Sequence, residues 1–235
     1  MSNAQTFATL EAGSDATDGY IRTRWWWVRH APVRVDGGRI YGQQDLPCDC
    51  SDASVFRALG RMLPKHAVWI ATTLMRTRQT AEAIWAASGQ DPQPLQSEAD
   101  LVEQNLGEWQ GLDRASFLAT RRMSASAYWF AASAEAPPGG ESFDAVYDRV
   151  AAAVTTINSA HRGRDLVVVA HGGVIRAAIA LALGLPAQAG LTFAIDNCAV
   201  TRLDHLQSAT ETGWRVAMVN QRPIPDGNAQ QTGNG

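Results

Sequence analysis

The sequence predicts an α/β protein built from parallel βαβ units, and two observations carry that prediction. Apolar runs of strand length alternate with longer stretches of helical periodicity. Two of the strands end on histidine: Arg24-Trp25-Trp26-Trp27-Val28 runs into Arg29-His30, and Leu166-Val167-Val168-Val169-Ala170 runs into His171-Gly172-Gly173. Near-continuous apolar runs belong to strands covered on both faces. In an open α/β sheet, ligands bind in the crevice at the carboxyl ends of the strands, so His30 and His171 read as halves of one active site although far apart in sequence.

The elements follow in order. After the first strand comes a Gly-rich loop from Asp36 to Pro47, then a helix from Ser51 to Leu63 that Ser51 or Asp52 can cap. Ala67 to Ala71 is a short buried strand, and a helix from about Arg76 to Ala87 is ended by Ser88-Gly89. The middle is less regular: Leu101 to Trp109 leads into an Arg/Ala-rich segment, Arg114 to Ala134, expected to place helices and loops over the site. Pro137-Pro138-Gly139-Gly140 marks a turn, and Glu141 to Ala160 reads as a helix with acidic Glu141 and Asp144 near its positive end. The strand to His171 and a helix from Ile175 to Leu183 follow. Ala199–Leu203 and Trp214–Val219 read as a closing hairpin with Gly213 at its turn.

At 235 residues and 25.3 kDa the chain suits one domain with a sizeable core. Residues 1–20 read as a disordered leader and 223–235 as a disordered tail. The domain spans 21–222, with a helical cap inserted at about 112–140. A formal net charge of −3 supplies no global field for nucleic acid or anionic membranes, so attraction for an anion must be local. The leader lacks a secretory pattern, and the most apolar helical stretch, Val174 to Leu185, is too short to span a bilayer. A cytoplasmic protein is expected. Cys48, Cys50 and Cys198 make no even framework, and the first two stand too close in sequence for an ordinary disulfide, which fits a reducing compartment. Cys48-Asp49-Cys50 alone is too weak a pattern for zinc.

The chemistry these residues suit is phosphoryl transfer, which needs an in-line nucleophile, cations around the spreading charge and a proton donor for the leaving oxygen. His30 can be the nucleophile, because imidazole is neutral at physiological pH and forms covalent intermediates. Arg29 beside it supplies a fixed cation. Thr72-Thr73-Leu74-Met75-Arg76 opens a helix directly after a strand, where free N–H groups favour an anion and Arg76 can add bidentate hydrogen bonds. Glu103, a lone acid after apolar Leu101 and Val102, is a candidate general acid, with Glu108 as its competitor.

Five segments, in order, resemble the signatures of the histidine phosphatase superfamily, also called phosphoglycerate mutase-like. They are Arg29-His30-Ala31; Thr72 to Ala81; Glu103 to Gly111; Pro138 to Ser142; and Val169 to Gly173. The resemblance covers about Trp25 to Val219. It implies a three-layer α/β/α sandwich with a mixed, mostly parallel sheet and an antiparallel strand near one edge. It also implies His30 as the phosphorylated nucleophile, Glu103 as proton donor and then base for water, and His171 as the third catalytic group. The phosphate is assigned to Arg29, Arg76 and Gly172. No metal and no cofactor are implied. Gly38 to Pro47 and the closing hairpin look most like small bacterial phosphatases, including α-ribazole phosphatases.

The sequence departs from the family pattern in two places. Ala31 replaces a glycine, and Pro32-Val33-Arg34-Val35 stands where further phosphate contacts are common, leaving Arg34 or Gln43 as candidate substrate-binding substitutes. Arg78 reads as solvated surface, and Arg121-Arg122 more as helix charge than as an anion clamp. Trp25 to Trp27 read as strand packing, and Tyr128-Trp129-Phe130 as a small core for the cap. The expected function is metal-independent hydrolysis of a small phosphorylated metabolite, with neither nucleic acid nor membrane as partner and a homodimer allowed. The rivals are a cofactor-dependent phosphoglycerate mutase, disfavoured by the short interval between Glu103 and His171, and a non-catalytic phospho-ligand binding module.

Overall fold

The computed structural model describes residues 19–121 and 131–226. Its elements run β1 (Ile21–Arg29), α1 (Ala53–Met62), β2 (Val68–Ala71), α2 (Met75–Ser88), β3 (Leu95–Ser97), α3 (Arg114–Thr120), α4 (Phe143–Ala160), β4 (Asp165–Ala170), α5 (Gly172–Ala182), α6 (Ala187–Gly190), β5 (Val200–Gln207) and β6 (Thr212–Gln221). The six strands form one sheet in the order β3-β2-β4-β1-β5-β6. Pairing is parallel from β3 through β1, and antiparallel for β1 with β5 and β5 with β6. This is the expected mixed, mostly parallel arrangement. No helix among the described residues is long and apolar enough to cross a membrane.

Strand periodicity decides which side chains meet which helices. From β4, Leu166, Val168 and Ala170 point to one face and pack with Trp25 and Trp27 of β1 and the apolar stripes of α4 and α5. Val167 and Val169 point to the other, with Val28, Trp69 and the buried faces of α1 and α2. Trp25 and Trp27 stack at 5.1 Å between ring centroids, and the Trp25 indole N–H donates to Asn158 on α4 at 2.8 Å. Trp26 faces the opposite side, where its N–H donates to Asp165 and the Arg202 guanidinium lies 4.7 Å over its ring. The tryptophan run is packing on both faces, as its spacing requires.

Local chemistry sets the boundaries. Asp52, of the two candidates, caps α1 by accepting the Ser54 N–H at 3.1 Å. Gly89 ends α2 with φ of 67°, a left-handed conformation that glycine adopts without steric cost. Two expectations need correction. Glu141 lies outside α4, which Ser142 caps, because its carboxylate is held instead by Arg149 and the Asn105 N–H. Gly213 is paired within β6 opposite Leu206, and Ser208 makes the hairpin turn by accepting the Thr210 and Glu211 N–H groups. The helix after β4 begins at Gly172, earlier than its apolar pattern suggests. Short β3 and α6 carry too little periodicity to be read.

In the region assigned to a cap, α3 packs Phe117 on a small cluster of Ile40, Leu106, Trp109 and Ala131. Arg121 lies 4.3 Å over the Trp109 ring and pairs with Glu135 at 2.6 Å. Arg122 and the Tyr128-Trp129-Phe130 run lie outside the described residues, as do the leader up to residue 18 and the tail from 227. The start of the tail runs back to α1, where Arg61 pairs with Asp226 at 3.1 Å.

Trp27 is 1% exposed at the centre of the larger core cluster. Trp27→Ala is expected to lower the unfolding free energy by about 3–5 kcal/mol, measured by urea denaturation against wild type.

Candidate active site

β1 and β4 lie side by side, parallel, with Arg29 opposite Ala170. The next residue on each strand is therefore a histidine, and the His30 N–H still bonds the Ala170 carbonyl at 3.0 Å. The rings of His30 and His171 stand 5.2 Å apart between centroids. Both are buried, at 1% and 0% exposure.

The His30 ring is oriented from behind. Its Nδ1 lies 2.7 Å from the Ala31 carbonyl oxygen, which can only accept, so Nδ1 carries the proton and Nε2 keeps the lone pair. The Ala31 N–H is held by Thr80 Oγ1 at 2.9 Å, and the His30 carbonyl accepts from Asn197 Nδ2 at 2.8 Å. Ala31 is not among the non-glycine residues with positive φ, so the extra methyl fits this turn without backbone strain. Burial first, then the charges of Arg76 and Arg29, push the His30 pKa well below the ordinary imidazole value. His171 is pushed down by burial, then by His30 and the same arginines, and its Nε2 lies 2.9 Å from Thr72 Oγ1.

Among the described residues, three of the buried nitrogens without a hydrogen-bond partner belong to this site, Arg29 Nε, Arg76 Nε and His171 Nδ1, while the indole nitrogens of Trp27, Trp69 and Trp85 share that lack within the apolar core. Orphaned polar groups in a buried setting are rare and call for a ligand. Arg29 is steered by its Nη1 to the Ile195 carbonyl at 2.5 Å. Arg76 is fully buried, with Nη1 on the Gln44 carbonyl at 2.8 Å and Nη2 on that of Gly42 at 2.7 Å, and burial lowers its pKa. The start of α5 joins this set. A Cβ on Gly172 would stand 3.6 Å from Arg29 Nε and 3.0 Å from an Arg176 terminal nitrogen. The N-terminal N–H groups and dipole of α5 also favour negative charge here.

Glu103 is held at the same helix end. Its Oε2 accepts from the Gly173 N–H at 3.3 Å and its Oε1 from the Gln104 N–H at 2.9 Å. A Cβ on residue 173 would come within 2.4 Å of Oε1, so only glycine lets the acid sit there. Its backbone carbonyl accepts from Gln43 Nε2 at 2.8 Å and Arg149 Nη2 at 3.2 Å. Behind it, Arg149 grips Glu141 with two hydrogen bonds, and Gly107 packs where a Cβ would overlap the Pro138 carbonyl oxygen. Glu108 is exposed. A pocket of about 240 Å³ opens against Arg29, Glu103 and Asn197, with Pro32, Ile40, Tyr41 and Leu106 among its walls.

Of the residues singled out in the sequence, the structure gathers His30, His171, Arg29, Arg76, Gly172 and Glu103 at the carboxyl ends of β1, β2 and β4. Gln43 is used on the Glu103 backbone. Arg34 points outward, its side chain 72% exposed and 3.5 Å from Asp49. The start of α2 differs from expectation: the Asp45 carboxylate accepts the Met75 N–H at 2.7 Å, so the protein's own anion occupies that helix end. Thr72, read only as part of a helix opening, contributes a hydroxyl beside His171, and Asn197 and Arg176 were not assigned to the site from the sequence. Arg176 had a readable signal, an arginine in an apolar helix four residues after Gly172, since long helical side chains fold back toward the N-terminus. Its Nε donates to the Phe193 carbonyl at 2.8 Å, and burial, then the Arg29 charge, push its pKa down to about 10.

The lowered pKa values predict that both site histidines stay neutral through pH 6.5, the ordinary imidazole midpoint, and charge only at more acid pH. Imidazole ¹⁵N chemical shifts over a pH titration check this.

The histidine phosphatase superfamily (branch 1) family model matches residues 25–222. Phosphoglycerate mutase-like protein 4 of Arabidopsis thaliana is 36% identical over 157 residues, 63% of this chain and 66% of that protein, just under two thirds of its length. The structure of a mycobacterial glucosyl-3-phosphoglycerate phosphatase superposes with a TM-score of 0.71 at 26% identity, covering 85% of this chain and 99% of that one. An α-ribazole phosphatase from Shigella flexneri shares the fold, with a TM-score of 0.67 at 22% identity over 86% of this chain and 98% of its own. The sheet order, the paired histidines and a match spanning nearly the whole described chain agree: this chain belongs to the histidine phosphatase superfamily.

Proposed function

We propose that the protein is a phosphomonoester hydrolase that works through a phosphohistidine on His30, without a metal, on a small phosphorylated metabolite. The observation that carries this reading is the trio of orphaned buried donors, Arg29 Nε, Arg76 Nε and His171 Nδ1, beside a histidine whose Nδ1 is tied to a carbonyl. A phosphoryl group is a ligand whose oxygens suit such nitrogens, with His171 Nδ1 a donor in the tautomer whose Nε2 accepts from Thr72 Oγ1. In the first step His30 Nε2 attacks phosphorus, the bond to the ester oxygen breaks, and Glu103 gives that oxygen a proton. In the second, Glu103 takes a proton from water, which attacks phosphorus and frees His30. The guanidinium charges of Arg29 and Arg76 meet the charge on the equatorial oxygens, the part a metal ion plays in other phosphoryl transferases.

The phosphatase name of the mycobacterial structural relative supports hydrolysis, and the pocket's modest volume suits a small leaving group. The Arabidopsis relative's mutase-like name keeps a cofactor-dependent phosphoglycerate mutase as the second reading. Added phosphoglycerate and its bisphosphate would separate the two, since only a mutase moves phosphate between hydroxyls without releasing it.

Wild type is expected to release phosphate from an aryl phosphate with or without EDTA, and His30→Ala to release none. Loss of wild-type activity in EDTA would sink the metal-free mechanism. Gly173→Ala, which displaces the Glu103 carboxyl, is expected to lower kcat for the same ester by about ten- to a hundredfold with the fold intact by circular dichroism.

A further inference from the structure

Cys48 and Cys50, too close in sequence for an ordinary disulfide, are brought by their loop to an Sγ–Sγ distance of 3.5 Å. Both are partly accessible, whereas Cys198 is buried and its thiol is pushed up to about 12 by burial. The Cys50 S–H beside it lowers the Cys48 pKa to about 7, the condition for a nucleophilic thiolate. Among the described residues no group of three ligating side chains could hold a metal ion, so the pair is left to thiol chemistry.

The loop is tied to both halves of the phosphate site. Cys48 Sγ lies 3.3 Å from the Arg76 carbonyl oxygen, and the Cys48 N–H donates to Gln79 Oε1 at 3.0 Å. Thr80, which holds the Ala31 N–H, has its hydroxyl on the same Arg76 carbonyl at 2.7 Å. Between the cysteines, the Asp49 N–H donates to the Pro32 carbonyl at 2.7 Å, two residues beyond His30.

We propose that Cys48 and Cys50 are a reversible oxidation site, closed to a disulfide by a low-molecular-weight disulfide such as oxidised glutathione, and that closure lowers turnover at the neighbouring phosphate site. The Cys48 thiolate attacks one glutathione sulfur, forming a mixed disulfide and expelling a glutathione thiolate. Cys50, giving up its proton, then attacks Cys48 Sγ and expels the second. The protein dithiol is oxidised, one glutathione disulfide is reduced to two thiols, and the two protein thiol protons end on them. To reach the bonded distance of about 2.05 Å, the sulfurs must move together, which takes Cys48 off the Arg76 carbonyl and pulls Asp49 against Pro32. A ring this small is strained, and strained disulfides are the readily reduced ones, which suits a switch rather than a structural brace.

The test treats wild type and Cys50→Ser with oxidised glutathione, followed by intact mass, peptide mapping and aryl phosphate turnover. Wild type is expected to lose two hydrogens, to map a Cys48–Cys50 bond, and to fall at least about threefold in kcat/KM, recovering with dithiothreitol. Cys50→Ser, with wild-type activity before treatment, is expected to retain one glutathionyl group on Cys48. A wild-type adduct without ring closure, or modification at Cys198, would overturn the site. A mapped bond with unchanged turnover would overturn its effect on the phosphate site. Absence of activity in untreated wild type would count against the hydrolase reading alone, leaving the bond to be judged by mass.

Discussion

The parallel pairing of β1 with β4 is the constraint on which the site rests. Because Arg29 faces Ala170 in that register, the following residues of two distant segments emerge together at the carboxyl end of the sheet's two central strands as His30 and His171. A slip by one residue would send every side chain of β1 to the opposite face and separate the rings. The register is fixed by burial: Trp25 and Trp27 fill one layer and Val28 the other, while Arg24 and Trp26 both hold Asp165 at the start of β4. The same packing that stabilises the sheet therefore aligns the chemistry at its end.

The site itself is a stabilised imbalance of charge. Arg76 is wholly buried, and its hydrogen bonds go to carbonyls of the loop at 42–44 rather than to a carboxylate. Taking a guanidinium out of water costs several kcal/mol unless a counter-charge or a full set of acceptors compensates. Carbonyl dipoles and the Tyr41 ring, 5.3 Å from the guanidinium, compensate in part. Burial first, and the remaining positive field after it, lower the pKa of both histidines, and that field favours an anion as the group that completes the pocket. His30, His171 and the arginines around them are thus parts of one electrostatic arrangement.

Several motif residues act by holding others. Glu141 and Arg149 fasten the segment from Asp100 to Asn105, Gly107 and the Pro138 turn pack where no side chain fits, and Gly173 leaves room for the acid. The family signature in this stretch is the record of a scaffold around one carboxylate. Cys198, with φ of 61°, belongs to the same kind of support: it donates its N–H to the Arg29 carbonyl, next to Asn197 on the His30 carbonyl.

By itself the sequence indicated every strand among the described residues except β3, and the longer helices, because apolar runs, helix caps and terminal glycines are local signals with short range, while the layering followed from the family resemblance. His30, His171, Arg29 and Arg76 were legible since each follows or opens a readable element, whereas Glu103, in an irregular stretch, was chosen over Glu108 by the family resemblance. What only the tertiary structure decided depends on which loops meet. Asp45 occupying the start of α2, Gln43 serving the Glu103 backbone, Glu141 drawn out of α4 by Arg149, Arg34 turned to solvent and Arg176 folded over Gly172 are all long-range or rotameric choices. A periodicity of 2 or 3.6 residues fixes the face on which a side chain starts, and packing against distant segments fixes where its polar end finishes.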